Sequence, residues 1–173
     1  MKYDTVNSHD LSYAAGMLDG DGCISVNKGR QQKNGAHSYM ITVRVSQKLE
    51  EIPLWFLSVF GGRVRTMGKG KWAVSNGRPV FFSPMIAWEL YCRDAAEFLT
   101  AIIPYLKMKK TRAELAVRLA NMQRLRGGRG YRYGGKPVTL EESSEREKLA
   151  VLIREENQKG NTRVAMTSKW GVN

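Results

Sequence analysis

The chain of 173 residues has only two histidines and two cysteines, and it is poor in acid, with 16 Asp and Glu against 28 Lys and Arg. Cys23 and Cys92 alone build neither a disulfide framework nor a four-ligand zinc site. His9 and His37 lack metal-ligand spacing and read as solvated surface residues. No apolar run approaches the ~20 residues needed to cross a bilayer, so no membrane partner is expected. The opening, Met1-Lys2-Tyr3-Asp4, has neither the basic start nor the apolar stretch of a secretory signal. These absences exclude the secreted, membrane and zinc-finger classes and point to an intracellular protein. What remains, 42% hydrophobic and 25% charged residues, suits one soluble globular domain able to bury its own core.

The formal charge of +12 is unevenly placed. Residues 61–135 carry fifteen basic and four acidic side chains, whereas residues 1–60 carry six of each. A concentrated excess of this kind is expected of a surface that faces phosphates.

Ser8 to Leu18 reads as a helix capped by Ser8, with Leu11, Ala14/Ala15 and Leu18 at helical spacing and Asp19-Gly20-Asp21-Gly22 ending it. Cys23–Lys28 and Ser38–Gln47 alternate as strands, with Ile24, Val26, Ile41, Val43 and Val45 on one face. The polar segment between them ends in an Asn34-Gly35 turn. A second helix carries Pro53 in its first turn and stops at Gly61-Gly62. Arg63-Val64-Arg65 opens another strand, and strand-like pieces follow at Lys71–Ser75, Val80–Ser83 and Met85–Tyr91, with a hairpin turn at Asn76-Gly77. Asp94 with Glu97, Thr111 with Glu114 and Thr139 with Glu142 resemble capping pairs that open helices at 95–103, 112–126 and 140–157. A Gly/Arg/Tyr loop spans 126–135. Helices and strands in this order make an α+β domain over residues 1–159, followed by a basic tail at 160–173 expected to be frayed.

Most catalytic signatures are missing. Gly68-Lys69-Gly70 does not complete a phosphate loop. A calcium loop counted from Asp19 fails at Cys23, Ile24 and Arg30. The Asp-Gly-Asp-Gly segment is nevertheless unusual, because two carboxylates meet the negative end of the helix dipole. Asp-Gly pairs are common in tight turns, and a bound divalent cation would equally account for them, since carboxylates and free carbonyls are the hard ligands Mg²⁺ takes.

Tyr13-Ala14-Ala15-Gly16-Met17-Leu18-Asp19-Gly20-Asp21-Gly22 resembles the motif of the LAGLIDADG homing endonucleases, with Ala14 in the place of its first Leu. Val45-Ser46-Gln47-Lys48 is similar to the segment carrying that family's active-site glutamine. Pro104-Tyr105-Leu106-Lys107-Met108-Lys109-Lys110 resembles its Pro-aromatic-Leu-Lys-x-Lys signature. The three segments stand in the family's order over about residues 8–126. The resemblance implies an αββαββα core with an antiparallel, saddle-shaped DNA-binding sheet and extra C-terminal helices. It implies a homodimer joined by a parallel pair of motif helices, lined by Tyr13, Ala14, Ala15, Gly16 and Asp19. It also implies Mg²⁺-dependent hydrolysis of both strands of a long pseudo-palindromic site, promoting mobility of an intron or intein. Asp21 and the Gly20 carbonyl would bind metal, Asp19 would be structural, and Gln47 and Lys109 would complete the catalytic set. Mn²⁺ is expected to substitute, and Ca²⁺ to bind without supporting cleavage. The location would be an organelle matrix or stroma if organelle-encoded, otherwise cytoplasm or nucleoid.

On the sheet face, Ser25, Asn27, Gln31, Thr42, Arg44, Arg63 and Arg65 alternate with apolar residues and are expected to reach base edges. Lys69, Lys71, Lys107, Lys110 and Arg112 are expected to meet phosphates, which position without specifying. The chain departs from the family where Glu50-Glu51-Ile52-Pro53 stands in place of a basic residue after the glutamine. Two alternatives share the fold: an RNA maturase, compatible with the Gly/Arg/Tyr loop, and a DNA-binding regulator without catalysis.

Overall fold

The computed structural model describes residues 2–31, 37–124 and 138–159. The expected Asn34-Gly35 turn, the loop at 126–135 and the tail at 160–173 lie outside these residues. Helix α1 (Ser8–Asp21) is capped by Asn7 rather than Ser8, and the Asn7 side chain accepts from the Asp10 N–H at 2.8 Å. It runs past Leu18, so Asp19, Gly20 and Asp21 form its last turn instead of a turn beyond it. Strand β1 (Gly22–Gln31) starts at the very next residue. Only glycine permits that reversal, since a Cβ at Gly22 would lie 2.7 Å from the Leu18 Cα, while the Gly22 N–H closes on the Leu18 carbonyl.

Strand β2 (His37–Gln47), helix α2 (Glu51–Phe60) and strand β3 (Arg63–Met67) follow. Next come a hairpin of β4 (Lys71–Ser75) and β5 (Arg78–Phe82), then β6 (Met85–Tyr91), α3 (Cys92–Ile102), a 3₁₀ turn (Ile103–Tyr105), α4 (Lys110–Arg124) and α5 (Leu140–Lys159). The main sheet is antiparallel in the order β1-β2-β6-β3. The β4–β5 hairpin forms a separate two-stranded sheet inserted between β3 and β6. It turns at Asn76 and Gly77, both with positive φ (50° and 74°), as a two-residue hairpin turn demands. With the insertion set aside, the order through α3 is the expected αββαββα, extended by α4 and α5.

The period-two alternation makes the sheet two-faced. Ile24, Val26, Ile41, Val43, Val45, Trp88 and Leu90 are buried against Leu18, Phe56, Phe60, Phe98 and Leu99 of the helices. Trp88 packs on Phe56 and Phe98, and its indole N–H donates to the Gly61 carbonyl at 2.6 Å. The register puts Cys23, Ser25, Asn27, Met40, Arg44, Arg63 and Arg65 on the other face. Among the described residues, helices therefore cover one side of the sheet only. On that side α5 ties down β1 and β2, because Glu147 accepts from Lys28 (2.5 Å) and from the Tyr39 hydroxyl. Burial, with the Glu147 contact, pushes the Tyr39 phenol up to about 12. Asn157 donates to the Ile24 carbonyl at 2.9 Å, pairing a backbone group of the outermost strand.

The three expected caps fare differently. Thr139 does cap α5, its hydroxyl accepting the Glu142 N–H at 3.2 Å. Helix α3 begins at Cys92, so Asp94 lies inside its first turn and pairs with Lys2 (2.7 Å), while Glu97 pairs with Arg93 (2.8 Å). Helix α4 starts at Lys110, which puts Thr111 within the helix. His37, expected in solvent, is half-buried and its ring meets the Gly29 carbonyl at 3.0 Å.

The packing predicts unequal costs for two substitutions. Phe98→Ala empties a fully buried ring site and should lower unfolding free energy by about 3–5 kcal/mol. Val74→Ser, on the exposed hairpin, should change it by less than about 0.5 kcal/mol. Denaturant titration of both variants checks the difference.

Candidate active site

The end of α1, the end of β2 and the approach to α4 converge on one point. Antiparallel pairing sets Gly22 opposite Val45, which carries Gln47 past the strand end to the last turn of α1. There the Gln47 side-chain amide donates to the Asp21 carboxylate at 2.5 Å. Asp21 is exposed at the helix end, with Gly20 exposed beside it. Asp19 is tied more extensively than Asp21. One of its carboxylate oxygens accepts the backbone N–H groups of Lys107 (2.7 Å) and Met108 (3.1 Å), and the other accepts that of Lys109 (2.8 Å). In return the Lys109 ammonium donates to the Asp19 main-chain carbonyl.

This exchange resolves the misplaced carboxylates. Asp19 is unfavourable at the C-terminal end of α1 but favourable just before α4, where it collects the N–H groups of the three residues that lead into that helix. Lys109 is favourable where it sits, against a terminal carbonyl of α1. Burial pushes the Lys109 ammonium below its ordinary pKa, partly offset by Asp19. Asp21, Gln47 and Lys109 are thus brought together as the sequence suggested, and Asp19 positions the third of them.

Other expected residues fall elsewhere. Ala14 and Ala15 are fully buried in the protomer's own core, and the Asp19 carboxylate is occupied within the chain. Neither alanine is free to face a second copy, while Asp19 stays partly exposed. Tyr13 and Gly16 remain exposed on α1. Thr42 is 3% exposed, too deep to reach a base edge. Arg112 turns inward and donates to the Glu156 carbonyl of α5, so it is withdrawn from phosphate contact. Ser25, Asn27 and Arg63 lie on the open sheet face, and Gln31 is exposed at the end of β1. Lys69, Lys71, Lys107 and Lys110 are exposed. Glu50 and Glu51, at the position of the missing basic residue, stand at the start of α2, where the helix dipole favours acid.

Arg44 and Arg65 reach the open face but are not free there. Both are bound by Glu89 of β6, at 2.5 Å from Arg44 and 2.8 Å from Arg65, and Tyr91 donates to the same carboxylate. Hydrogen bonds from Arg65, Tyr91 and Arg44 hold the Glu89 carboxyl down to about 2. Sequence reasoning missed Glu89 and Tyr91. The available signal was that Glu89 is the only acid between Glu51 and Asp94, set in a strand amid basic ones.

No family model matches the chain, and no curated protein matches it. Solved structures do. The homing endonuclease I-CvuI, in complex with its target in the presence of calcium, superposes with a TM-score of 0.60 at 20% identity, over 87% of this chain and 85% of that one. The archaeal intron-encoded homing endonuclease I-Vdi141I complexed with DNA gives 0.60 at 15% identity, over 95% and 89%. The I-LtrWI LAGLIDADG homing endonuclease bound to target DNA gives 0.56 at 13% identity, over 85% of this chain and 44% of a longer one. The chain has the LAGLIDADG homing endonuclease fold. In this chain the helix carrying Asp21 runs directly into β1, and β1 pairs with the strand carrying Arg44.

Because Asp19 serves three donors, Asp19→Asn should leave some of them facing an amide N–H. A stability loss of about 1–3 kcal/mol is expected by thermal or chemical unfolding. An unchanged midpoint would show that the Lys107–Lys109 segment does not depend on this carboxylate.

Proposed function

We propose that this protein is a site-specific homing endonuclease that hydrolyses both strands of a long, nearly palindromic DNA site as a homodimer, using a divalent cation and serving the mobility of its intron or intein. The observation that carries the reading is the convergence of Asp21, Gln47 and Lys109 beside an open sheet face flanked by exposed lysines. The DNA carried by solved relatives of the same fold supports the choice of substrate.

The donor set fits a hard cation. Gln47 occupies one oxygen of the exposed Asp21 carboxylate, and the Gly20 carbonyl belongs to the last turn of α1, where carbonyls lack helical partners. Asp21 and the Gly20 carbonyl would hold Mg²⁺, which when bound neutralises charge developing on the scissile phosphate. Among the described residues no three His, Cys, Asp or Glu gather to hold a metal, in keeping with one carboxylate supplied by each of two copies. Gln47 fixes the Asp21 carboxylate and offers its own carbonyl oxygen to orient an attacking water. Lys109, held by Asp19, places a positive charge where the phosphate would gain charge. Lys69, Lys71, Lys107 and Lys110 would hold the flanking backbone.

Dimerisation through α1 is supported by Gly16 and Gly20. A Cβ at either would meet nothing within 4 Å, so the protomer's own packing gives no reason for a residue that costs a helix interior about 1 kcal/mol. A second α1 approaching backbone to backbone supplies the reason.

Asp21→Asn should bind the selected site within about tenfold of wild type while losing Mg²⁺-dependent cleavage. Gel assays on a duplex recovered from a randomised library test this. Cleavage by the variant at the wild-type rate would falsify the assignment, and preferential binding of RNA would favour a maturase.

Gly16→Glu should give monomers by light scattering that keep the wild-type circular dichroism spectrum, because the protomer has room for the side chain. A dimer that persists would place the interface elsewhere.

A further inference from the structure

Glu89 is the feature the proposed function leaves unexplained. It lies on the open face of β6, between β2 and β3, and is 0% exposed there. A carboxylate in the middle of a surface that meets phosphates works against binding unless it does something else. Both its oxygens are committed. Oε1 accepts from Arg44 Nε at 2.5 Å and Arg65 Nη2 at 2.9 Å, while Oε2 accepts from Arg65 Nε at 2.8 Å and from the Tyr91 hydroxyl. With the carboxyl held down to about 2, Glu89 stays ionised at any pH used to bind DNA, and with the two arginines it carries one net positive charge.

The two arginines are held differently. Arg65 spends its whole Nε–Nη2 edge on the carboxylate. Arg44 meets it through Nε alone, and in both arginines the end-on Nη1–Nη2 pair stays free, because the side edge of Arg65 uses only one of the two Nη2 hydrogens. Reading guanine in the major groove takes two parallel N–H donors aimed at O6 and N7. An arginine already fixed at Nε presents that pair with less freedom to lose on binding.

We infer that Glu89 is a specificity-determining positioning residue: by clamping Arg44 at Nε, with Arg65 bound along its side edge as the second arm of the clasp, it presents the Nη1–Nη2 pair of Arg44 to a base edge. The inference rests on the DNA-binding reading above. A clasp that merely joined three strands would affect stability without changing which bases are preferred.

The test is a binding selection from randomised duplex DNA, made with the full chain of the wild type, Glu89→Gln, Tyr91→Phe, Arg44→Ala and the Arg44→Ala/Glu89→Gln double variant. Wild type should enrich a G·C pair at one position in each half-site. Glu89→Gln should lose that preference about tenfold. Its affinity for random duplex should hold or rise with a steeper salt dependence, because the cluster gains a net charge. The double variant should match Arg44→Ala at that position. Tyr91→Phe removes one bond to Glu89 without changing charge, and it should weaken the same preference by a smaller factor. It carries the test if Glu89→Gln does not fold. A folded Glu89→Gln variant with the wild-type base profile overturns the inference and leaves the endonuclease reading standing, as does Tyr91→Phe with an unchanged profile where it carries the test. A wild-type protein that selects no sequence overturns both.

Discussion

The arrangement depends on one exchange of charge between two helix ends. The Asp19 carboxylate gathers the N–H groups of Lys107, Met108 and Lys109, and the Lys109 ammonium returns to the Asp19 carbonyl. Each group sits at the end of its own helix where the dipole disfavours it or leaves backbone unpaired, and each is satisfied by the other helix. Without this contact the segment leading into α4 would have three free donors, and Lys109 would have no reason to lie at the end of α1. The candidate catalytic group is therefore a by-product of how α1 and α4 terminate each other.

The sheet contributes the second constraint. Its alternation buries Ile24, Val43 and Trp88 under the helices and turns Asn27, Arg44 and Arg65 outward. Register then fixes the chemistry, since pairing Gly22 with Val45 brings Gln47 to Asp21. A slip of one residue would invert both faces and separate that pair. The same antiparallel order makes β6 the neighbour of both β2 and β3, which lets one carboxylate meet arginines from two strands.

The parts that were legible in the sequence were those set by local periodicity. The β1–β2 alternation, the Asn76-Gly77 turn, the Gly61 stop and the Thr139 cap all announce themselves within a few residues. The three ordered motif segments then pointed to Asp21, Gln47 and Lys109. What escaped was non-local. The residue just before α4, Lys109, gives its N–H to a side chain 90 residues earlier, whereas the local pattern pointed to Thr111 as the cap. The motif resemblance implied a dimer seam that includes Ala14 and Ala15, but both serve the internal core, and Tyr13 and Gly16 are the residues of that seam left exposed. Arg44 and Arg65 looked like free readers because strand order, and with it the place of Glu89, cannot be read from alternation.

The missing loop between α1 and β1 has a mechanical consequence. Gly22 is the whole connection, so the helix that bears Asp21 and the strand that bears Ser25 and Asn27 behave as a bent lever without a hinge. A shift of Asn27 must tilt α1, and a tilt of α1 must displace Asp21. Poor fit at a distance is thereby felt at the acid itself, and retuning what β1 touches becomes harder the closer a substitution lies to Gly22. Positions far along β1 are the ones a diverging lineage could change without disturbing the acid.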